Sequence, residues 1–293
     1  MRTHSPDPFI QISDTEIPVV QNVLKQRLPI SAHEYNMVLS KKRFRQDVQV
    51  CTMDGDLSDN AIILLTTFRQ DYGLEISMSI PPGYLPDEYL RQALISTTVI
   101  DWDDAFVFIS VPRPLSMMIF EISTVIKHNS TTVNPNYQYV FDTTDSTALH
   151  QNFRNLNDGI EIRPLDKTIG AKFLLDNWKY TKDGTPEYVQ KVLDKNPSAG
   201  VFVDGKLACG ALVNVHGLIG LLYTDNHYRR MGLAQLCMRF LFKEMAKIGQ
   251  VPCSTSQSKN DKSTNFHEKL GMVVTHETDY IFHIPYSEAK FNT

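Results

Sequence analysis

The sequence predicts an α/β protein of the α+β kind, with helices flanking a mixed central sheet and two halves in succession. The chain has 293 residues, of which 42% are hydrophobic, and this is enough for two domains that each bury a core. Short apolar runs typical of strands alternate with longer segments of helical periodicity. One polar stretch, Thr143–Gly159, interrupts this alternation and is predicted to link the halves.

The first half, residues 1–145, is predicted to begin with helices and to continue with strands. Helices are expected after the capping residues Ser13–Glu16 and over Ala32–Ser40. An antiparallel meander is expected from Gln49–Met53, Ala61–Phe68 and Leu74–Ile80. The remaining predicted order is helix, strand, helix, strand, at Asp87–Ser96, Ala105–Val111, Leu115–Ile126 and Tyr137–Asp142. No catalytic constellation stands out in this half.

The second half, residues 158–287, has sharper signals. A strand at Gly159–Pro164 and a helix at Asp166–Tyr180 precede a helix with Thr185 as its N-cap. Asp204-Gly205 joins Gly200–Val203 and Leu207–Val213 as a hairpin. The predicted order then continues with a strand at Leu218–Tyr223, a helix at Leu233–Ile248, a strand at Val251–Ser254, a helix at Asn260–Leu270, and a closing hairpin of Met272–Val274 with Tyr280–Ile284.

The turn between the strand at Leu218–Tyr223 and the helix at Leu233 has the features of an anion site. Its spacing is Arg229-x-x-Gly232-x-Ala234, and the two small residues allow a phosphate to approach the backbone closely. The free amides and the dipole of the following helix favour an anion. Arg229 and Arg230 add guanidinium donors. The alternative is an ordinary helix start with two solvated arginines.

This turn resembles the pyrophosphate-binding motif of the GCN5-related N-acetyltransferases (GNAT), Arg/Gln-x-x-Gly-x-Gly/Ala. The order of elements in the second half is also similar to the order in that fold. The last predicted helix and the residues that follow it, with Asn260 and Phe266–Met272, resemble the C-terminal end of the same fold. The resemblance implies a GNAT fold in which a degenerate GNAT-like domain, residues 1–145, precedes a catalytic domain, residues 158–287. It implies acetyl-CoA or another acyl-CoA as co-substrate, with no metal.

Within that superfamily the chain most resembles the glycine N-acyltransferases. The similar segments are Asn177–Tyr180, Asn196–Ser198 and Leu222–Arg230. This resemblance implies transfer of an acyl group to a small amine such as glycine or another amino acid. Two alternatives stay open, namely an acetyltransferase for a protein or polyamine amine, and a non-catalytic acyl-CoA-binding protein.

The resemblance also assigns candidate site residues. The coenzyme contacts are Leu221, Leu222, Tyr223, Arg229, Arg230, Met231, Gly232, Leu233, Ala234, Asn260 and Ser263. His267 stands where many relatives keep a tyrosine near the coenzyme sulfur, and is a candidate for proton transfer. The alternative for His267 is a surface histidine on an amphipathic helix.

The general base is less well defined. The glycine acyltransferases are expected to keep a glutamate early in the strand before the turn, and Val215–Leu218 offers no carboxylate there. His216 is the substitute candidate, with Glu161, Asp225 and solvent as alternatives. A turn role is the other interpretation of His216 and Asp225.

Composition excludes several classes of function. A net charge of −4 gives no overall attraction for nucleic acid. The four cysteines lack Cys-x-x-Cys spacing and are expected to be reduced packing residues rather than metal ligands. No apolar run is long enough for a membrane span, and the first twenty residues resemble neither a signal peptide nor an anchor. We therefore expect an intracellular protein, cytoplasmic or mitochondrial.

Overall fold

The computed structural model describes residues 6–142 and 159–285. The strands are β1 Phe9–Gln11, β2 Val48–Met53, β3 Ile63–Arg69, β4 Gly73–Ser79, β5 Phe106–Pro112, β6 Ser130–Phe141, β7 Ile160–Arg163, β8 Ser198–Val203, β9 Lys206–Val213, β10 Ile219–Thr224, β11 Cys253–Gln257 and β12 Met272–Ile284. The helices are α1 Ile17–Gln26, α2 Ala32–Phe44, α3 Glu88–Ser96, α4 Arg113–Glu121, α5 Ile169–Asp176, α6 Thr185–Lys195, α7 Leu233–Lys247 and α8 Asp261–Lys269. The predicted linker lies outside the described residues except for Gly159.

All twelve strands form one mixed sheet, in the order β1-β2-β3-β4-β5-β12-β6-β11-β10-β9-β8-β7. Each half contributes a run of antiparallel strands followed by one parallel pair, β4 with β5 and β10 with β11. The last strand of each half crosses to the other half, so that β12 pairs with β5 and β6 pairs with β11. The two halves therefore repeat one topology and exchange a strand.

The exchanged strands pair with each other along their whole length. The antiparallel ladder of β6 and β12 extends from Phe141 opposite Met272 to Ser130 opposite Ile284. The predicted closing hairpin is therefore wrong, because residues 275–279 continue the strand. Their polar side chains suggest a turn, but β12 lies between two strands and Thr278 and Asp279 find partners there. Ser110 donates to Thr278 at 3.1 Å, and Ser116 donates to Asp279 at 2.5 Å.

Two predictions at the start of the second half also need correction. Helix α5 ends at Asp176, so Trp178 and Tyr180 lie in the loop before α6 instead of on a helix. Thr185 is the first helical residue and Gly184, at φ +86°, is the N-cap. The Thr185 hydroxyl donates instead to Asp71 of the first half, at 2.6 Å. The other predicted elements are present with ends that shift by a few residues, except that β6 begins at Ser130, seven residues before the predicted start at Tyr137.

The core joins the halves as well. Apolar residues of α1 and α2 share one buried cluster with residues of α5 and α6, whereas α3 with α4, and α7, bury separate clusters. The four cysteines are buried and unpaired. Within the described ranges, no helix combines the length and apolar character needed to cross a membrane.

Asn36 of α2 is the main polar connection between the halves. Its side chain is fully buried, donates to the carbonyls of Gly217 at 3.0 Å and Val251 at 2.7 Å, and accepts from the Val251 amide at 2.8 Å. A Cβ on Gly217, at φ +87°, would lie 2.5 Å from the His33 carbonyl oxygen. Only glycine therefore allows the β9–β10 turn to approach α2 so closely.

We predict that Asn36→Ala lowers the free energy of unfolding by about 3 kcal/mol, because it leaves buried backbone groups of the second half without partners. Denaturant unfolding of wild type and variant measures this difference. The control is Asn177→Ala, which removes one exposed hydrogen bond to the Phe173 carbonyl and should cost less than about 1 kcal/mol. Equal effects of the two substitutions would contradict the role given to Asn36.

Candidate active site in a cleft between the halves

Strands β10 and β11 run parallel and then separate. They are paired at one position, Ile219 opposite Ser254. A bulge in β10 places Leu221 and Leu222 opposite the single residue Ala211 of β9, and Leu221 has a φ of +53°. Beyond Ile219 the β10 backbone therefore faces an open cleft, and its unpaired groups can bind an extended ligand.

The predicted anion turn follows at the mouth of this cleft. Arg230 and Gly232 have φ values of +65° and +77°, and alternation of this kind turns successive amides toward a common point. Gly232 is the N-cap of α7 and makes no side-chain cap hydrogen bond, so the first amides of the helix are available to a ligand. A Cβ on Gly232 would meet nothing within 4 Å. The turn can accept a diphosphate on its open side.

The corresponding position in the first half is closed. Strands β4 and β5 stay paired over Leu74–Ile76, so no cleft opens at that point. Helix α3 is capped by Asp87, whose carboxylate accepts from the Leu90 amide at 2.9 Å. A negative charge at this helix start disfavours an anion. The first half therefore offers neither the open cleft nor the uncapped helix start of the second half.

Beyond the cleft lies a cavity of about 620 Å³ that both halves line. From the second half it receives residues of β10, β11 and α8, together with the β9–β10 turn that carries His216. From the first half it receives Arg69 and Glu75. The sheet curves enough for β4 and β10 to face the same space, although four strands separate them in the sheet order.

Arg69, Asp71 and Glu75 form a buried charge cluster at the first-half side of the cavity. Arg69 donates to both oxygens of Asp71, at 2.9 and 2.7 Å, and its guanidinium lies 3.8 Å from the ring centroid of Tyr188. Burial acts against ionisation of Asp71, but the hydrogen bonds from Arg69 and Thr185 outweigh it and hold the pKa of Asp71 below its ordinary value. The Arg69 guanidinium therefore binds mainly to Asp71.

Glu75 is bound by the same guanidinium, but through a single, longer hydrogen bond. Arg69 donates to its Oε1 at 3.2 Å, while its Oε2 is buried without a hydrogen-bond partner among the described residues. The side chain is 3% exposed. Burial raises the pKa of Glu75 to about 7 although the Arg69 charge opposes this. Glu75 was not predicted from the sequence as a site residue.

His216 faces the cavity from the β9–β10 turn. It is buried, and its Nδ1 has no partner among the described residues. Burial, with the Arg69 charge nearby, holds the pKa of His216 well below its ordinary value. The imidazole is therefore neutral at pH 7, and it lines the cavity while its Nδ1 is buried without a partner.

His267 lines the cavity from α8. Its Nδ1 lies 2.7 Å from the Ser263 carbonyl oxygen, so this nitrogen carries the proton and Nε2 is the acceptor. The ring stacks on Tyr139 with centroids 4.3 Å apart. Burial lowers the pKa of His267, so the ring is neutral at pH 7 and its Nε2 can accept a hydrogen bond.

The other predicted site residues fall into two groups. Leu221, Leu222 and Ser263 line the cavity. The outer group lies at the turn or near it and comprises Tyr223, Arg229, Arg230, Met231, Gly232, Leu233, Ala234 and Asn260. Asn260 caps α8 by accepting from the Ser263 amide at 3.2 Å.

Two alternative bases lie away from the cavity. The Glu161 carboxylate is largely exposed on β7 and pairs with Arg163 at 2.9 Å. Asp225 accepts from the His227 amide at 2.9 Å, as expected for a turn residue. Neither Glu161 nor Asp225 is among the described residues that line the cavity. No group of three or more His, Cys, Asp or Glu side chains in the described ranges is placed to hold a metal ion.

Comparisons with known proteins agree with this architecture. A model of the FR47-like protein family matches residues 199–281, which include the cleft and the turn. A Drosophila protein solved by X-ray crystallography aligns over 95% of this chain and 99% of its own, with 19% identity and a TM-score of 0.80. A search of curated proteins finds no significant match.

Two further solved structures carry the name of the fold. A tandem GNAT protein from the clavulanic acid biosynthesis pathway aligns over 94% of this chain and 97% of its own, at 11% identity and a TM-score of 0.55. A GCN5-related N-acetyltransferase from Sphaerobacter thermophilus aligns over 95% of each chain, at 13% identity and a TM-score of 0.51. The predicted GNAT fold is confirmed by these likenesses.

The raised pKa of Glu75 predicts a pH-dependent stability. A glutamate in the unfolded chain titrates near pH ~4.3. Between that pH and about pH 7, Glu75 is therefore protonated in the folded protein but ionised in the unfolded chain. Stability therefore falls as pH rises through this window and levels off above it. We predict that Glu75→Gln, a neutral isostere, gains stability relative to wild type as pH rises from about 5 to 8.

Glu34 of α2 is a matched control for this measurement. It is also buried, its pKa is raised to about 8 by burial, and it does not line the cavity. Glu34→Gln should show the same trend in thermal unfolding, but extending to about pH 8 before it levels off. A stability difference that does not change between pH 5 and 8 would contradict the perturbed pKa of Glu75.

Proposed function

We propose that this protein is an N-acyltransferase that moves an acyl group from acyl-CoA to a small amine by direct attack. The observation that carries the proposal is the continuity of the open turn at Gly232, the separated strands β10 and β11, and the cavity behind them. These three features match the three parts of an acyl-CoA, which are its diphosphate, its pantetheine arm and its reactive thioester.

Each part of the site has a definite task in this proposal. The amides from Arg230 to Ala234 hold the diphosphate, with guanidinium groups of Arg229 and Arg230 beside it. Backbone groups of Leu221–Tyr223, which the separation of β11 leaves unpaired, bind the pantetheine amides. An amide of Leu222 or Tyr223 polarises the thioester oxygen as it gains charge. The cavity then orients the amine against the thioester carbon.

The two predicted histidines keep roles that suit their environments. His267 accepts a hydrogen bond at Nε2, directly or through water, because its neutral ring presents an acceptor there. His216 accepts a hydrogen bond from the amine at Nδ1 and so helps to orient it. Neither histidine supplies a proton to the leaving thiolate at neutral pH, because burial keeps both rings uncharged.

The cavity favours a small acceptor. It lies between the halves, and a protein lysine would need an open groove. Glycine or another amino acid is the acceptor that we propose first. Lys182 supports it, because this exposed residue lines the cavity mouth with its ammonium 4.4 Å from the centroid of the Tyr72 ring, where it can pair with a substrate carboxylate. The presence of two titratable side chains, Glu75 and His216, in the cavity lining favours a transferase over a protein that only binds acyl-CoA.

The test of this function is transfer from isotope-labelled acetyl-CoA and benzoyl-CoA to a panel of amines. Glycine and glutamine represent amino acids, putrescine represents polyamines, and a lysine peptide represents proteins. Labelled amide product with glycine or glutamine is the expected result. Product with the lysine peptide alone would replace the proposed acceptor, and coenzyme binding without product from any amine would overturn the transfer activity.

A substitution at the turn tests the coenzyme site separately. Gly232→Asp adds a carboxylate where the diphosphate is expected, and we predict at least a 10-fold loss of affinity for coenzyme A by calorimetry. Gly205→Asp is the matched control, because Gly205 has a φ of +76° and open space around its Cβ position, as Gly232 does. Both variants carry the same backbone strain. Equal affinities for the two variants would contradict the diphosphate assignment.

A further inference from the structure

We propose that Glu75, a residue of the first half, is the general base that removes a proton from the acceptor amine. This inference rests on the proposed function and adds to it the identity of the base and the charge of the amine that enters. It assigns a catalytic residue to the half that does not bind the coenzyme.

The position of Glu75 is the first argument. The residue lies on β4, and its side chain faces the cavity that also receives Leu221, Leu222 and His267 from the coenzyme side. Its Oε2 is buried and has no partner among the described residues. An unpaired buried carboxylate oxygen is costly, and a ligand that donates a hydrogen bond to it would remove that cost.

The charge balance of the cluster is the second argument. One guanidinium, Arg69, serves two carboxylates, and it binds Asp71 through both oxygens but Glu75 through one. The ionised cluster therefore carries a net charge of −1 in a buried place. A primary amine that enters as an ammonium ion neutralises this charge and donates to the free Oε2. The site therefore favours a protonated amine and places the Glu75 carboxylate next to its ammonium group.

The basicity of Glu75 fits the same task. Burial brings its pKa to about 7, where a base combines a useful deprotonated fraction with the strength to accept a proton. The titratable and charged groups that surround it come from five elements. They are Arg69 of β3, Asp71 and Tyr72 of the β3–β4 turn, Tyr188 of α6, His216 of the β9–β10 turn and Tyr280 of β12.

His216 is the competing base, and its environment argues against it. Burial and the Arg69 charge keep its pKa well below the ordinary value. A histidine of such low basicity accepts a proton from an ammonium less readily than Glu75 does. His216 instead fits a positioning role, in which Nδ1 accepts a second hydrogen bond from the amine.

The proposed step balances as follows. The ammonium R–NH₃⁺ transfers one proton to the Glu75 carboxylate, which gives a neutral amine and a neutral carboxylic acid. The amine nitrogen attacks the thioester carbon, forming the C–N bond as the C–S bond breaks. The new amide nitrogen loses its extra proton to the departing thiolate, which leaves as free coenzyme A. Glu75 then releases its proton to solvent.

This assignment explains a departure of the sequence from its resemblance. The strand before the turn lacks the expected glutamate, and Val215–Leu218 offers only His216. A carboxylate from the other half occupies the cavity in its place. The exchange of β6 and β12 makes this possible, because it closes the first half against the cleft of the second.

The experiment compares wild type with Glu75→Gln, which preserves the shape of the side chain and its bond to Arg69. Glu34→Gln serves as the control for loss of a buried carboxylate outside the cavity. Acetyl-CoA and benzoyl-CoA are the donors, and glycine, glutamine and putrescine are the acceptors. The measurements are coenzyme A affinity by calorimetry, and kcat and kcat/KM between pH 5.5 and 9.

We expect Glu75→Gln to bind coenzyme A as wild type does and to lose about 100-fold or more in kcat, the range for a missing general base. Wild type and Glu34→Gln should share an acidic limb near pH 7, and this limb should be absent from the residual activity of Glu75→Gln. If Glu75→Gln does not fold, the pH dependence of kcat and kcat/KM in wild type still tests whether a group with a pKa near 7 acts as the base.

Three results would overturn the inference, and they are distinguishable from each other. Wild-type rates in Glu75→Gln, or a wild-type profile without a limb near pH 7, would reject Glu75 as the base and leave the transferase activity intact. An equal loss in Glu34→Gln would show a structural effect. Wild type that binds no coenzyme A, or binds it and forms no product with any amine, would overturn the proposed function and this inference with it.

Discussion

The pairing of β6 with β12 is the constraint on which the rest of the structure depends. Each strand leaves its own half and completes the sheet of the other, so neither half closes its sheet alone. The long antiparallel ladder between them sets the register of both flanking strands, β5 and β11. It also fixes how the sheet curves, and the curvature brings β4 and β10 to one cavity. A site that takes its coenzyme contacts from one half and its carboxylate from the other requires this arrangement.

The interface between the halves is polar where it supports the site. Asn36 binds the backbone of the second half, Thr185 binds Asp71, and the Arg69 guanidinium packs on the Tyr188 ring. Buried polar groups are costly unless they are paired, and most of those at this interface are. Glu75 and His216 keep unpaired atoms, and both residues line the cavity. A ligand that donates to these two atoms would complete their hydrogen bonding.

Local signals allowed much of the second half to be predicted. Turn chemistry located the hairpin at Asp204-Gly205, and helical periodicity located α7 after the glycine turn. Such signals act within a few residues of each other, so the sequence displays them directly. The closing hairpin failed because residues 275–279 are polar yet lie between two strands that are distant in sequence. Glu75 was missed for the same reason, since nothing near it in the chain indicates that β4 faces the cleft of the other half. The place of Glu75 at the cavity depends on how the two halves are assembled, which no local pattern in the sequence displays.

The central claim is that the cleft and cavity form one site for an acyl-CoA, and thermal unfolding with a series of ligands tests it most directly. Free coenzyme A, acetyl-CoA, benzoyl-CoA and a long-chain acyl-CoA are compared at matched concentrations. A ligand at ~100 times its dissociation constant stabilises the fold by about 2.7 kcal/mol. We predict stabilisation by all four, with a further increase for the acyl group that the cavity accepts. Unchanged unfolding temperatures with every ligand would contradict the account, because the turn at Gly232 would then be only the start of a helix.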